Sequence, residues 1–67
     1  MKIYLNNEAT DWDEGTTVLQ ILDHHSLSNK NGIAVAVNET VIGKATWPEM
    51  ELKNNDKLMV ITATAGG

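Results

Sequence analysis

The residue types that could do chemistry are concentrated at two places in the chain. At the first, Asp23, His24, His25 and Ser26 follow one another and supply the side chains of a hydrolase triad. Neighbouring side chains on a helix point in different directions, so these four cannot converge on one substrate atom. The two histidines also splay apart, and no further ligand lies at helical spacing to complete a metal shell. We therefore expect no catalytic residue and no metal site here, with His24 exposed and His25 partly buried.

The second place is the C-terminal segment Ala65-Gly66-Gly67, which has almost no side chains. Such a segment cannot pack, so we expect residues 64–67 to form an extended and mobile tail. The tail is either a frayed end or a functional one. In the functional interpretation, its bare backbone threads a narrow channel and presents the α-carboxylate of Gly67 to the active site of another protein. A side chain at either glycine would clash in that channel.

Composition excludes several classes of function. The 67 residues are 42% hydrophobic and 21% charged, as in folded proteins, and we expect one domain over residues 1–67. The absence of cysteine excludes disulfides, thiolate metal sites and cysteine nucleophiles. Nine acidic residues against five lysines give a net charge of −4. This balance disfavours a nucleic-acid partner and predicts that a charged partner surface is basic.

The sequence also predicts where the protein works. No apolar run approaches the roughly 20 residues that span a membrane. The start, Met1-Lys2-Ile3-Tyr4, opens directly into patterned sequence without a signal peptide. We therefore expect a soluble, cytoplasmic protein with no membrane partner.

The first half of the chain predicts two strands and a helix. Apolar and polar residues alternate over residues 1–6, which is the period of a half-buried strand. Asn6-Asn7 suits a tight turn, and residues 8–13 are predicted to form the returning strand, with Thr10 and Trp12 on one face. Thr17 and Gln20 form a capping box. It begins a helix over residues 18–25, whose buried face comprises Val18, Ile21, Leu22 and His25.

The second half predicts three more strands. Residues 33–37 are rich in β-branched side chains, Asn38-Glu39 makes a turn, and residues 40–42 form a short strand. Residues 43–52, which contain Pro48, predict a loop or one helical turn, and residues 57–63 form the last strand. The order is that of an α+β protein with the β-grasp (ubiquitin-like) arrangement. It has a mixed sheet of four to five strands, the first and last side by side, and one main helix packed across it.

Strand parity divides the sheet into two faces. The face toward the helix comprises Met1, Ile3, Leu5, Val35, Val37, Leu58 and Val60. The open face comprises Tyr4, Ala34, Ala36, Met59 and Ile61. Apolar residues exposed together on a small protein form a candidate partner interface, and here we select Tyr4, Ala36, Met59 and Ile61. The alternative is that each residue is simply tolerated at the surface.

Three other features have both a structural and a functional interpretation. Trp12 and Trp47 are the two largest side chains, and we expect them to supply core volume at its edges. Lys44 follows the flexible Gly43 and is either a plain surface lysine or one that contacts a partner. The acidic residues Asp11, Asp13 and Glu14 form either a solvated strand end or a patch that meets a basic partner.

In order and at this length, several motifs together resemble one family. They are Met1-Lys2-Ile3-Tyr4-Leu5-Asn6, Gly15-Thr16-Thr17-Val18, Ala34-Val35-Ala36-Val37-Asn38, Val41-Ile42-Gly43-Lys44 with Trp47, the turn before Asp56, and Gly66-Gly67. Over essentially its whole length the chain resembles the ThiS family, the small ubiquitin-like sulfur carriers of thiamine biosynthesis. It departs from the family at Asn55, where members often carry glycine. Asparagine can adopt the same left-handed turn.

The resemblance implies a mechanism in which the chain is a carrier and not an enzyme. An adenylating enzyme of the ThiF type uses ATP to convert the Gly67 carboxylate into an acyl-adenylate. A sulfur donor then displaces the adenylate and leaves a thiocarboxylate, and a thiazole synthase of the ThiG type receives the sulfur. The carrier binds no cofactor, since ATP and the sulfur donor are used by the activating partner.

Three alternatives to this function stay open. A sulfur carrier of the molybdopterin pathway, of the MoaD type, shares the fold, the tail and the chemistry, although the short chain favours ThiS. A protein modifier would join Gly67 to lysines through an isopeptide bond. A β-grasp interaction module would carry an incidental Gly-Gly end.

Overall fold

The computed structural model describes residues 1–62, which form one mixed sheet and one α-helix. The elements are β1 (Lys2–Leu5), β2 (Glu8–Asp11), α1 (Val18–His24), β3 (Ile33–Val37), β4 (Thr40–Ile42) and β5 (Asp56–Thr62), with a 3-10 turn at Lys44–Thr46. The strand order is β2-β1-β5-β3-β4. The first and last strands, β1 and β5, are parallel neighbours, and the other neighbouring pairs are antiparallel. The predicted α+β architecture is confirmed.

Tight turns with positive φ angles close both hairpins. Asn6 and Asn7 have φ angles of 49° and 71°, and Asn38 and Glu39 have 49° and 70°. Positive φ at both central residues is the mark of the type I′ turn, whose twist matches that of the flanking strands. Each two-residue turn therefore sets the register of its hairpin, Leu5 opposite Glu8 and Val37 opposite Thr40.

The helix begins at the predicted capping box. The Gln20 amide donates to the Thr17 hydroxyl, and the Thr17 amide donates to the Gln20 side-chain oxygen at 2.8 Å. The helix ends at His24, one residue earlier than predicted, and Ser26 turns the chain away at a φ of 58°. The prediction of a partly buried His25 is wrong. This residue caps the helix from outside it and is exposed, because the chain turns before its side chain can reach the sheet.

The core lies between α1 and one face of the sheet. Its buried members are Ile3, Val18, Ile21, Leu22, Val35, Val37, Trp47, Leu52, Leu58 and Val60. The strand residues among them are those that parity predicted to face the helix, and Met1 and Leu5 are partly buried against the same cluster. Both tryptophans supply core volume, as predicted, but Trp47 is a buried member of the core cluster and only Trp12 packs at its edge.

Several element ends differ from the predictions. The second strand stops at Asp11 instead of residue 13, because the Asp13 carbonyl accepts hydrogen bonds from both the amide and the hydroxyl of Thr16 and forms a turn. The last strand begins at Asp56, and its predicted end at Ala63 lies outside the described residues. Asn55 has a φ of 73°, which confirms the left-handed turn expected there.

Residues 43–52 connect the sheet to the start of the helix. The Val18 amide donates to the Met50 carbonyl, and the Leu52 amide donates to the Thr16 carbonyl, each at 2.9 Å. The segment contains one 3-10 turn, in agreement with the prediction of a loop or one helical turn. No helix within residues 1–62 is both long and apolar enough to cross a membrane.

Candidate functional site

The candidate site is the side of the sheet that faces away from α1. We call it the open face and define it by Tyr4, Ala34, Ala36, Val41, Met59 and Ile61. The pairing register places these residues side by side. Ala36 lies opposite both Met59 and Val41, and Ala34 lies opposite Ile61. Tyr4 lies one strand further on, opposite Lys57 in the parallel pair.

The open face gathers the exposed large hydrophobic side chains of the described part of the chain. Val41 is 75% exposed, Ile61 57% and Met59 37%. Single exposed apolar residues are ordinary on a protein surface, but a cluster on one face marks an interaction site. Met59 and Ile61 lie on β5 and Val41 lies on β4, with β3 between the two strands, and all three residues share the face turned away from α1.

One part of the open face is concave. A depression of about 280 Å³ is lined by Tyr4, Asn7, Ala36, Glu39, Lys57, Leu58 and Met59. Its apolar surface comes from the strands, whereas Asn7 and Glu39 belong to the two hairpin turns. An apolar centre with a polar rim is the usual anatomy of a protein–protein interface.

The structure places the four residues that the sequence selected on one face, together with Ala34 and Val41. Tyr4, Ala36, Met59 and Ile61 share the open face, as strand parity predicted. Val41 was missed, although it is the most exposed of the large hydrophobic residues. The sequence of the turn contained the information needed to place Val41 on this face. A two-residue connection at Asn38-Glu39 pairs residue 37 with 40 and therefore residue 36 with 41.

The strand that would lead to the tail lies at the centre of the sheet. β5 is hydrogen-bonded to β1 on one side and to β3 on the other, and Thr62 pairs with Ile33. The predicted tail residues Ala65, Gly66 and Gly67 lie outside the described residues, so the predictions made for them stay predictions.

Lys44 and Trp47 lie just after the end of β4 in the chain. The Lys44 Nζ is 6.0 Å from the centroid of the Trp47 ring, within the range of a cation–π contact. Trp47 is buried, and its indole Nε1 finds no acceptor among residues 1–62. The lysine side chain is thus held near an apolar surface while its ammonium group stays accessible.

The histidine segment does not assemble a hydrolase triad or a metal site in the described part of the chain. The Asp23 carboxylate accepts a hydrogen bond from the Ser28 hydroxyl, not from a histidine. The His24 ring packs edge-on against Trp12 and against His25, with both centroid distances 5.2 Å. Within residues 1–62, no group of three or more metal-ligating side chains comes together. Among residues 1–62, the acidic residues Asp11, Asp13 and Glu14 are all exposed, and their role as a partner patch stays a prediction.

Comparisons with known proteins identify relatives of the chain. A model of the ThiS family matches residues 3–67. The sulfur carrier protein ThiS of Escherichia coli (strain K12) is 25% identical over 67 residues, which cover the whole of both chains. A crystal structure of the thiamine biosynthesis protein ThiS from Geobacter metallireducens superposes with a TM-score of 0.83 at 19% identity, over all of both chains. A solution NMR structure of a thiamine biosynthesis protein from the same organism gives 0.77 at 19% identity, over all of this chain and 88% of that one. The two structural matches support the β-grasp fold.

Proposed function

The chain belongs to the ThiS family, and from this premise we propose that it carries sulfur for thiamine biosynthesis on the carboxyl group of Gly67. The observation that carries the proposal is the extent of the family match, which runs through Gly66 and Gly67. The E. coli relative, which is named a sulfur carrier, aligns over the same full length.

The chemistry requires nothing of the carrier's side chains. A carboxylate is a poor electrophile, because its charge is delocalised and its oxygen leaves poorly. In the proposed reaction, a Gly67 carboxylate oxygen attacks the α-phosphorus of ATP on a ThiF-type enzyme and releases pyrophosphate. Hydrosulfide from the sulfur donor then attacks the carbonyl carbon of the acyl-adenylate, AMP leaves with the electron pair of the broken C–O bond, and a thiocarboxylate remains. A ThiG-type thiazole synthase takes the sulfur from it.

The open face supplies the contact that brings the tail to the enzyme. Val41, Met59 and Ile61 expose apolar surface that becomes buried when a partner docks. Met59 and Ile61 lie on β5, whose last residue, Thr62, directly precedes residues 63–67 in the chain. Docking on this face therefore fixes the point from which the tail extends.

Intact-mass measurement tests the carrier function directly. The chain is incubated with ATP, a ThiF-type enzyme and a sulfur donor. We expect a mass gain equal to the replacement of one oxygen by one sulfur, and no gain in a variant that lacks Gly67. An unchanged mass, with an enzyme that is active on another carrier, would contradict the proposal.

A second experiment tests the role of the open face. In the double variant Met59→Gln/Ile61→Thr, both side chains are already exposed, so we expect a folded protein whose adenylation requires a higher carrier concentration. Thermal unfolding checks the fold, and Glu49→Gln is the control, since Glu49 is exposed and lies outside the open face. A folded double variant that is adenylated as efficiently as the wild type would exclude the open face from docking.

A further inference from the structure

A second surface feature lies at one end of the sheet, next to the open face. It is a cleft of about 410 Å³ between the segment that enters β3 and the segment that leaves β4. It is lined by Lys30, Asn31, Gly32, Ile33, Ala34, Val41, Ile42, Gly43, Lys44 and Trp47. We call it the lysine cleft. Lys30 and Lys44 lie on its two opposite segments, and the surface between them is mainly apolar.

The charge of the lysine cleft is opposite to that of the chain. Two of the five lysines line it, and none of the nine acidic residues is among the described residues that do so. The chain as a whole carries a net charge of −4. The expectation of a basic partner rested on that net charge. At the lysine cleft, the local positive charge predicts an acidic partner surface, because electrostatic attraction depends on the charged groups that face each other.

The lysine cleft is continuous with the open face and adjoins the end of β5. Ala34 and Val41 belong to both surfaces. Ile33, which lines the cleft, pairs with Thr62, the last described residue of β5. A protein that docks on the open face next to Thr62 would therefore lie next to the lysine cleft.

We propose that the lysine cleft binds an acidic segment of the adenylating partner, in which carboxylate side chains flank an apolar residue. The two ammonium groups attract the carboxylates, and the apolar lining around Ile33 and Trp47 accepts the side chain between them. This inference rests on the proposed function, since the occupant is the enzyme that acts on Gly67. It assigns a role to Lys44, whose position over the Trp47 ring holds the ammonium group at the cleft.

Charge reversal at the lysine cleft tests the inference. The association rate of the chain with the ThiF-type enzyme is measured for the wild type and for Lys30→Glu/Lys44→Glu at several salt concentrations. We expect a loss of roughly tenfold at low salt, at the lower end of what electrostatic steering supplies, and a smaller difference at high salt. The charge-preserving variant Lys30→Arg/Lys44→Arg should associate like the wild type.

Lys53→Glu is the matched control. Lys53 is exposed and lines a different cavity, together with Glu51 and Asp56. We expect this single reversal to slow association by less than about twofold, because it lies outside both proposed surfaces. The single variant Lys44→Glu is measured beside it, because the two single reversals change the net charge by the same amount. If Lys53→Glu slows association as much as Lys44→Glu, the effect is one of net charge and the inference is overturned.

A titration that needs no enzyme separates this inference from the proposed function. The isotope-labelled chain is titrated with a short peptide in which two glutamates flank a leucine, and its amide resonances are followed by NMR. Shifts confined to Gly32, Gly43 and their neighbours support the cleft, even if no sulfur is ever loaded. Equal shifts around Lys53 overturn it. Failure of the mass experiment alone would instead refute the carrier function.

Discussion

The turn between β1 and β2 stabilises β5, the strand that precedes the tail, and this effect can be tested. Leu5 pairs with Leu58 at the end of the parallel ladder, and the Asn6 amide donates to the Leu58 carbonyl at 2.9 Å. A continued ladder would next offer the Asn6 carbonyl to the Val60 amide. Here the Asn6 side-chain oxygen takes its place and accepts from that amide at 2.7 Å. The Asn6 side chain thus satisfies a partly buried donor of the central strand.

The cost of removing this bond follows from its surroundings. In Asn6→Gly, the φ of 49° stays accessible but the Val60 amide loses its acceptor. A partly buried donor left unpaired costs about 1–2 kcal/mol of unfolding free energy. Asn6→Ala adds the left-handed strain of an L-residue, and we expect a total of about 2–4 kcal/mol. Asn6→Asp keeps an acceptor and tolerates the turn, so its cost should stay below about 0.5 kcal/mol.

The neighbouring asparagine provides the control. Asn7 has a φ of 71°, and within residues 1–62 its side chain makes no hydrogen bond. Because glycine is favoured at the second position of a type I′ turn, Asn7→Gly should change the stability by less than about 0.5 kcal/mol. The same substitution at adjacent positions therefore separates the hydrogen bond from the backbone effect.

Urea unfolding measures these free energies, and hydrogen exchange locates them. For a domain of this size, the loss in Asn6→Gly corresponds to a fall in Tm of about 5–15 °C. The Val60 amide should exchange faster relative to the Lys57 amide, which is bound instead by the Asn38 side chain at 2.9 Å. Equal stability of Asn6→Gly and Asn7→Gly would refute the reasoning. Equal losses in Asn6→Asp and Asn6→Gly would show that the acceptor is not what matters.

Three further predictions concern stability. Trp47→Ala should cost about 3–5 kcal/mol in urea unfolding, whereas Trp47→Phe, which also removes the unpaired indole N–H, should cost about 1–2 kcal/mol; equal costs would contradict this. Thr17→Ala removes the capping box and should lower the unfolding free energy by about 1 kcal/mol, and an unchanged thermal midpoint would argue against the cap. Asn55→Gly should be neutral or stabilising by up to about 1 kcal/mol, while Asn55→Val should destabilise by about 1–2 kcal/mol; a stable valine variant would count against the left-handed turn.

The fold was predictable because its local signals are periodic and mutually consistent. In a strand, the two-residue period assigns each side chain to a face, and the face assigned to Ile3, Val35 and Leu58 is the buried one. The capping box at Thr17 fixed the start of the helix independently of its apolar pattern. The asparagines before β2 and β4 marked both hairpins, since their turns need positive φ angles.

The wrong predictions concern the ends of elements, where the periodic pattern continues beyond the last residue of the helix or strand. His25 continues the apolar spacing of α1, but in a seven-residue helix one residue decides the end, and Ser26 leaves the helix at a φ of 58°. Helix ends depend on such single conformations, which periodicity does not report. The second strand was likewise extended to Asp13, although a turn had already begun there.

The candidate site also contains residues that the sequence predicted and residues that it did not. Five of the six residues of the open face follow from parity along single strands, and Val41 required the register between β3 and β4. The lysine cleft required more, because Lys30 and Lys44 are 14 positions apart and line one cleft only when β3 and β4 pair. Net charge adds all residues regardless of where they lie, so it cannot indicate a local surface of the opposite sign.

The hydrogen bonds that hold β5 in the sheet matter for the proposed delivery of Gly67 to the adenylating enzyme. Asn6 and Asn38 stand at corresponding positions of the two hairpin turns, and their side-chain oxygens accept from the Val60 and Lys57 amides, on either side of the strand. β5 is therefore fixed to the sheet that carries the open face. Beyond Thr62, five residues span at most about 18 Å when fully extended. On the proposed function, the active site of a docked adenylating enzyme must lie within that distance of Thr62, so the fixed position of β5 determines whether Gly67 reaches ATP.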